Sequence, residues 1–270
     1  MFGLSIRFWR NAVIVGIVAS AVLPMIPMIV WCFSSGWYFP NLIPEEWSIR
    51  GWVYITEPYS RAFPALLNSL LIAGAVTLIA FPIGIPAARA LGLYKFRGKR
   101  IVEYLILAPL IVPELPMAIG IHILFIKYGL ANTLFGVMII HLILVVPYVV
   151  LVLAGVFANY GPETEQSART LGASPLRVFF YVTLPAIFPG MVVGGLFAFI
   201  RSWRTYVFTL IIGGGVVETL PLVVFSFIGE GDNHVSAVLS VLFIAPAILM
   251  LLFTARYLTG EKGRGGFMGI

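Results

Sequence analysis

An all-α, polytopic membrane helical bundle is the fold class this sequence predicts, and three observations predict it. Of 270 residues, 60% are hydrophobic and only 10% charged, with a mean hydropathy of +1.03; an ordinary soluble domain carries about 25% charged residues. Apolar windows of about 20 residues recur along the chain, the length a helix needs to cross a bilayer. The basic residues gather in short clusters beside those windows rather than on one patch. So much apolar surface cannot be hidden in one water-soluble core, so the bilayer must be part of the solvent. A β-barrel would alternate over strands of about ten residues instead of running unbroken. The net charge of +6 reads as the positive-inside pattern, not as a nucleic-acid surface.

Six spans are expected, at roughly 11–33, 64–88, 102–126, 133–157, 187–212 and 235–256. The first follows Arg7 and Arg10, and its run from Asn11 to Ser35 exceeds the ~7–15-residue core of a cleaved signal peptide. Cys32, the one cysteine, closes that span and can form no internal disulfide. Residues 34–63 hold Trp37, Tyr38, Trp47, Trp52, Tyr54 and Tyr59, a density suited to a loop or short helix at the headgroups. The expected organisation is therefore a first span with its outer loop (1–62), a core of five spans (63–260) and a tail (261–270).

Lysine and arginine set the orientation. With the N-terminus inside, twelve fall on the cytoplasmic side: Arg7, Arg10, Arg89, Lys95, Arg97, Lys99, Arg100, Arg169, Arg177, Arg256, Lys262 and Arg264. Only Arg50, Arg61 and Lys127 fall outside, which places both termini in the cytosol. The remaining two, Arg201 and Arg204, lie in the fifth span.

The spans are rich in proline: Pro82, Pro86, Pro109, Pro113, Pro116, Pro147, Pro189 and Pro246. Each removes a backbone donor, tolerated in a membrane where neighbours or a water-filled cavity satisfy the freed carbonyls. Ordinary irregularity is one reading. A bundle that moves around a path is the other, favoured at Pro113-Glu114-Leu115-Pro116, where a charge accompanies the break.

Between the fourth and fifth spans lies a polar, charged stretch, residues 161–185. Gly161-Pro162-Glu163 reads as a helix start, with carboxylates near the positive end of the helix dipole. Glu165 and Arg169 are four apart and can share a face. Leu171-Gly172 reads as a C-cap, Ser174 as the N-cap of a second helix with Pro175 at its first position, and Leu184-Pro185 as the end of the unit. The pattern predicts a stiff helix–turn–helix elbow: a docking surface, or a surface amphipathic helix with no partner.

This stretch resembles the cytoplasmic coupling loop of permease subunits in type I bacterial ATP-binding-cassette importers. Glu165 and Gly172 keep the spacing of the family's Glu-Ala-Ala…Gly motif, and Val182-Thr183-Leu184-Pro185 supplies its end, while Gln166 and Ser167 replace the two alanines. Asn68-Ser69-Leu70, the basic turn Leu93–Lys99, and Glu218-Thr219-Leu220-Pro221-Leu222 are similar to further parts of the family, the last to the spermidine/putrescine branch. The resemblance implies a five-helix core wrapped by the first span and a second, similar permease chain. It also implies two copies of a cytosolic ATPase receiving the elbows, and an outer solute-binding protein. Glu165, Ala168, Arg169, Gly172, Ser174 and Pro175 would face the ATPase. The chain has no phosphate-binding Gly-x-x-x-x-Gly-Lys-Ser/Thr motif, so it is expected to bind no cofactor and to leave ATP to the ATPase.

Charges at membrane depth cost about 2.5–3.5 kcal/mol on insertion scales and point to function. Glu114, Arg201, Trp203 and Arg204 are the candidates for the translocation path; a structural pair between Glu114 and an arginine is the alternative. Glu114 suits a cation and the polyamine branch, a small organic solute being expected on that resemblance. Arg201 and Arg204 suit an anion instead. His122, His141 and His234 are scattered over different spans and loops and read as packing or interface residues rather than metal ligands. An intramembrane enzyme would need a nucleophile–base pair that is not evident. A secondary transporter or channel would show inverted repeats or more in-span charges.

Overall fold

A computed structural model describes residues 2–37 and 40–260, with side chains from Trp9 to Arg256 except at residues 21, 38 and 39. Tyr38, Lys262, Arg264 and the tail at 261–270 lie outside the described residues, as does the Arg7 side chain. The chain opens with α1 (Phe2–Val22) and α2 (Met25–Trp31), then a hairpin of β1 (Ser34–Ser35) and β2 (Glu46–Trp47), then α3 (Arg50–Thr56). The strands pair antiparallel, Ser34 opposite Trp47 and Ser35 opposite Glu46. There follow α4 (Ala62–Leu93), α5 (Lys99–Ile111), α6 (Glu114–Lys127), α7 (Leu134–Tyr160), α8 (Glu163–Thr170) and α9 (Pro175–Val178). A π-helical turn, Phe179–Thr183, leads into α10 (Leu184–Trp203), then α11 (Val207–Gly213), α12 (Leu220–Gly229) and α13 (Asn233–Gly260).

Five stretches among the described residues are long and apolar enough to cross a membrane: Trp9–Trp31, Ala62–Leu93, Leu134–Tyr160, Pro175–Trp203 and Asn233–Arg256. The span expected at 102–126 is broken: α5 and α6 meet at 103° and make a sixth only if taken together. The reason is Pro113. Its ring drives the preceding Val112 out of helical geometry (φ −70°, ψ 132°), and Pro113 then stands at the head of α6.

The fifth span departs at both ends. Leu184-Pro185 does not end the elbow, because helix runs unbroken from Pro175 through the π turn to Trp203. Pro185, which has no N–H to give to the ladder, falls directly after the π-helical turn, where the regular α-helical spacing is interrupted. At the far end the helix stops at Trp203 rather than near 212. At that end the Thr205 hydroxyl donates to the Arg201 carbonyl at 2.8 Å.

The chain divides into two compact units. One joins the first 63 residues to Val223–Ile244; the other runs from Pro64 to Leu222 and resumes at Ala245. In the first, Cys32, Ala237 and Val238 form a small core flanked by Met28, Trp31 and Ile55. There the His234 Nε2 accepts from the Gly51 N–H at 2.9 Å, and its Nδ1 donates to the Trp31 carbonyl at 2.7 Å.

The second unit is built around α7, whose Ile140, Leu144, Leu153 and Phe157 are fully buried with Ile72 of α4 and Ile187 of α10. Lipid is as apolar as leucine, so close packing rather than burial holds such helices together. Glycine permits it. A Cβ at Gly92 of α4 would lie 2.7 Å from the Ala154 carbonyl oxygen, and one at Gly190 of α10 would lie 2.6 Å from Val156 Cγ2.

Candidate functional site

The elbow is built by local chemistry. In α8, Glu163 and Glu165 occupy the first turn and Arg169 the last, both favourable to the helix dipole. The helix closes on Gly172, at φ +84°. The Gly172 N–H donates to the Arg169 carbonyl at 2.9 Å and the Ala173 N–H to the Ala168 carbonyl at 3.1 Å, the paired bonds of a Schellman cap. Ser174 then accepts from the Arg177 N–H at 3.4 Å, with Pro175 at the first turn of α9. Two caps around a left-handed glycine leave little freedom between the helices.

Glu165 turns inward. Its carboxylate, 5% exposed, accepts from the Arg89 guanidinium on α4 through both oxygens and from the Thr183 hydroxyl at 2.9 Å. The expected approach to Arg169 on the same face yields to this pairing. Burial alone would raise the Glu165 carboxyl, but the bonds from Arg89 and Thr183 outweigh it and hold it below the ordinary carboxylate value. The other residues expected to dock divide differently: Ala168 is half-buried, while Arg169, Gly172, Ser174 and Pro175 are at least partly exposed. Leu171 and Leu176 are 88% and 71% exposed, so the tip presents an apolar pair ringed by polar groups. Arg89 and Thr183 carry no sequence signal as partners; only their place at the ends of the neighbouring helices could suggest it.

A second cluster gathers at the break between α10 and α11. Arg201 donates to Glu114 at 2.8 Å and to the Thr205 hydroxyl at 3.1 Å. This is the cross-bundle pair that the sequence leaves open. Arg204 is exposed and makes no ion pair among the described residues. Trp203 is 3% exposed and stacked on Phe199 with ring centroids 5.8 Å apart. His141 of α7 is 2% exposed and sits between Ser202 and Thr209.

The outer-loop motifs also meet. Asn68 donates to the Glu218 carbonyl at 3.0 Å, and the Ser69 hydroxyl accepts from the Leu220 N–H at 2.8 Å. Two segments 150 residues apart in sequence are thus one substructure.

A multi-pass helical bundle with a capped elbow braced against it has the architecture expected of a membrane permease. Over residues 80–259 the chain matches the family described as "Binding-protein-dependent transport system inner membrane component". It belongs to that family and is a permease subunit of an ATP-driven importer. It is 34% identical over 225 residues to the molybdenum transport system permease protein ModB of Mycobacterium tuberculosis, covering 78% of this chain and 84% of the relative. It is 28% identical over 267 residues to the putrescine transport system permease protein PotI of Escherichia coli, covering 95% and 93%. The crystal structure of a bacterial ABC transporter that imports the acidic polysaccharide alginate has the same fold, with a TM-score of 0.70 at 20% identity, covering 94% of this chain and 96% of that one. The polyamine branch is therefore not set apart from these other relatives.

Proposed function

We propose that this chain forms half of a translocation path for an anionic solute, its elbow seated on a cytosolic ATPase. A second permease chain would complete the path, two ATPase copies would drive it, and a binding protein would deliver the solute from outside. Both termini would lie in the cytosol. One observation carries the choice of solute: Glu114, the group that suits a cation, is already bound to Arg201, while Arg204 has no ion pair among the described residues. The local balance is positive. The relatives at 34% identity, named for molybdenum transport, support the same direction.

The test uses cells carrying the whole transporter, with molybdate and putrescine as probes. Arg204→Glu should cut anion uptake by roughly tenfold or more, the scale of electrostatic focusing in a charged cleft. Putrescine uptake that is substantial in the parent and survives the change would return the chain to the polyamine branch. A complementary expectation concerns the pair itself. Glu114→Gln should leave Arg201 uncompensated and alter uptake more than Glu103→Gln, an acidic residue on α5 outside the cluster.

A further inference from the structure

The buried histidine of α7 does more than fill space, since both of its ring nitrogens are bonded. Its two ring nitrogens contact hydroxyls on opposite sides of the α10–α11 break: Nδ1 lies 2.8 Å from Ser202 Oγ, and Nε2 lies 2.9 Å from Thr209 Oγ1. The proton assignment follows from the next bond along. The Thr209 hydroxyl donates to the Thr205 carbonyl at 3.1 Å, so its oxygen is the acceptor toward Nε2–H. In the neutral ring Nδ1 is then the acceptor toward the Ser202 hydroxyl. Both ring nitrogens are thus used.

The chain of bonds does not stop there. Thr205, in the break, donates its hydroxyl to the Arg201 carbonyl and accepts from the Arg201 guanidinium, whose other arm holds Glu114. One run of donors and acceptors therefore passes from Ser202 through His141, Thr209 and Thr205 to Arg201. It bridges a place where the backbone ladder is interrupted.

We infer that His141 is a positioning residue for the path: it staples the end of α10 to the start of α11 and thereby fixes the presentation of Arg201 and Arg204. This rests on the reading that the break lines the path, and one experiment separates the two. The complete transporter is assembled with Cys32→Ser and Arg204→Cys, and a water-soluble methanethiosulfonate reagent is applied. Thiol modification at position 204 shows that the break is reached by water; no modification in any background overturns the path reading and the staple with it. With His141→Leu the modification rate should change by roughly tenfold, the scale of one lost buried hydrogen bond. His141→Gln, which keeps one donor and one acceptor, should stay near the parent. Thr209→Val should mimic His141→Leu, and the two combined should add little beyond either, as expected of one network. Equal rates for the parent, the leucine variant and the glutamine variant would overturn the staple. If the leucine variant fails to insert, Thr209→Val decides alone.

Discussion

Gly172→Val is expected to stop uptake while the chain still inserts into the membrane. The glycine stands at φ +84°, and a Cβ there would meet nothing within 4 Å, so space is not the obstacle. Conformation is. A left-handed backbone costs an ordinary residue roughly 1–2 kcal/mol, and a β-branched one more. The cheapest relief is to abandon the Schellman cap, which frees the Ala168 and Arg169 carbonyls and unhinges α8 from α9. The spans lie elsewhere, so insertion should be unaffected. Gly172→Asn, whose side chain tolerates this region, should retain much of the activity. Uptake by the valine variant at the parent rate would show that the elbow need not be stiff.

Breaking the Glu165–Arg89 pair should have a comparable effect by a different route. Removing one partner of a buried pair costs about 3–5 kcal/mol, and the lower end applies because Arg89 is 31% exposed. Arg89→Ala leaves the Glu165 carboxylate with Thr183 alone; Glu165→Ala leaves a cation against the end of α4. Either change removes the side-chain tie between α8 and α4. Uptake should fall to background with ATPase binding less affected, since the exposed tip of Leu171, Leu176 and Arg177 is untouched. The swap of Arg89→Glu with Glu165→Arg should recover part of the activity, and no recovery would argue for a direct ATPase contact by Glu165. The acid dependence has a definite sign. A carboxyl held below its ordinary value of 4.5 contributes in full above that pH, and its contribution is lost as pH falls through the lowered value. Uptake should therefore be insensitive to this group across the neutral range.

The elbow is legible in sequence because its signals are local. Gly172, Ser174 and Pro175 each dictate a backbone state within a few residues, and the structure has a cap at each. Apolar length likewise announces the spans. What cannot be read is whatever depends on a partner distant in sequence. Glu165 resembles a surface residue four positions from Arg169, yet its partner is 76 residues away on α4. His141 looks solitary because Ser202 and Thr209 are ordinary residues 61 and 68 positions on. The prolines mislead in both directions. Pro113 breaks a span at a point where the preceding residue can turn extended, whereas Pro147 of α7 and Pro246 of α13 lie inside continuous helices. Pro185 reads as a stop, yet helix continues through it directly after the π-helical turn. The end of α10 at Trp203 has no glycine or proline to mark it in sequence.

The central claim is that the tip of residues 161–185 faces the cytosol and is covered by an ATPase. A cysteine at position 176, introduced as Leu176→Cys in a Cys32→Ser background, tests it with an impermeant thiol reagent. The claim predicts labelling in inside-out vesicles stripped of the ATPase, protection when the ATPase is restored, and none in right-side-out vesicles. Labelling from the outer side, or equal labelling with and without the ATPase, would contradict it.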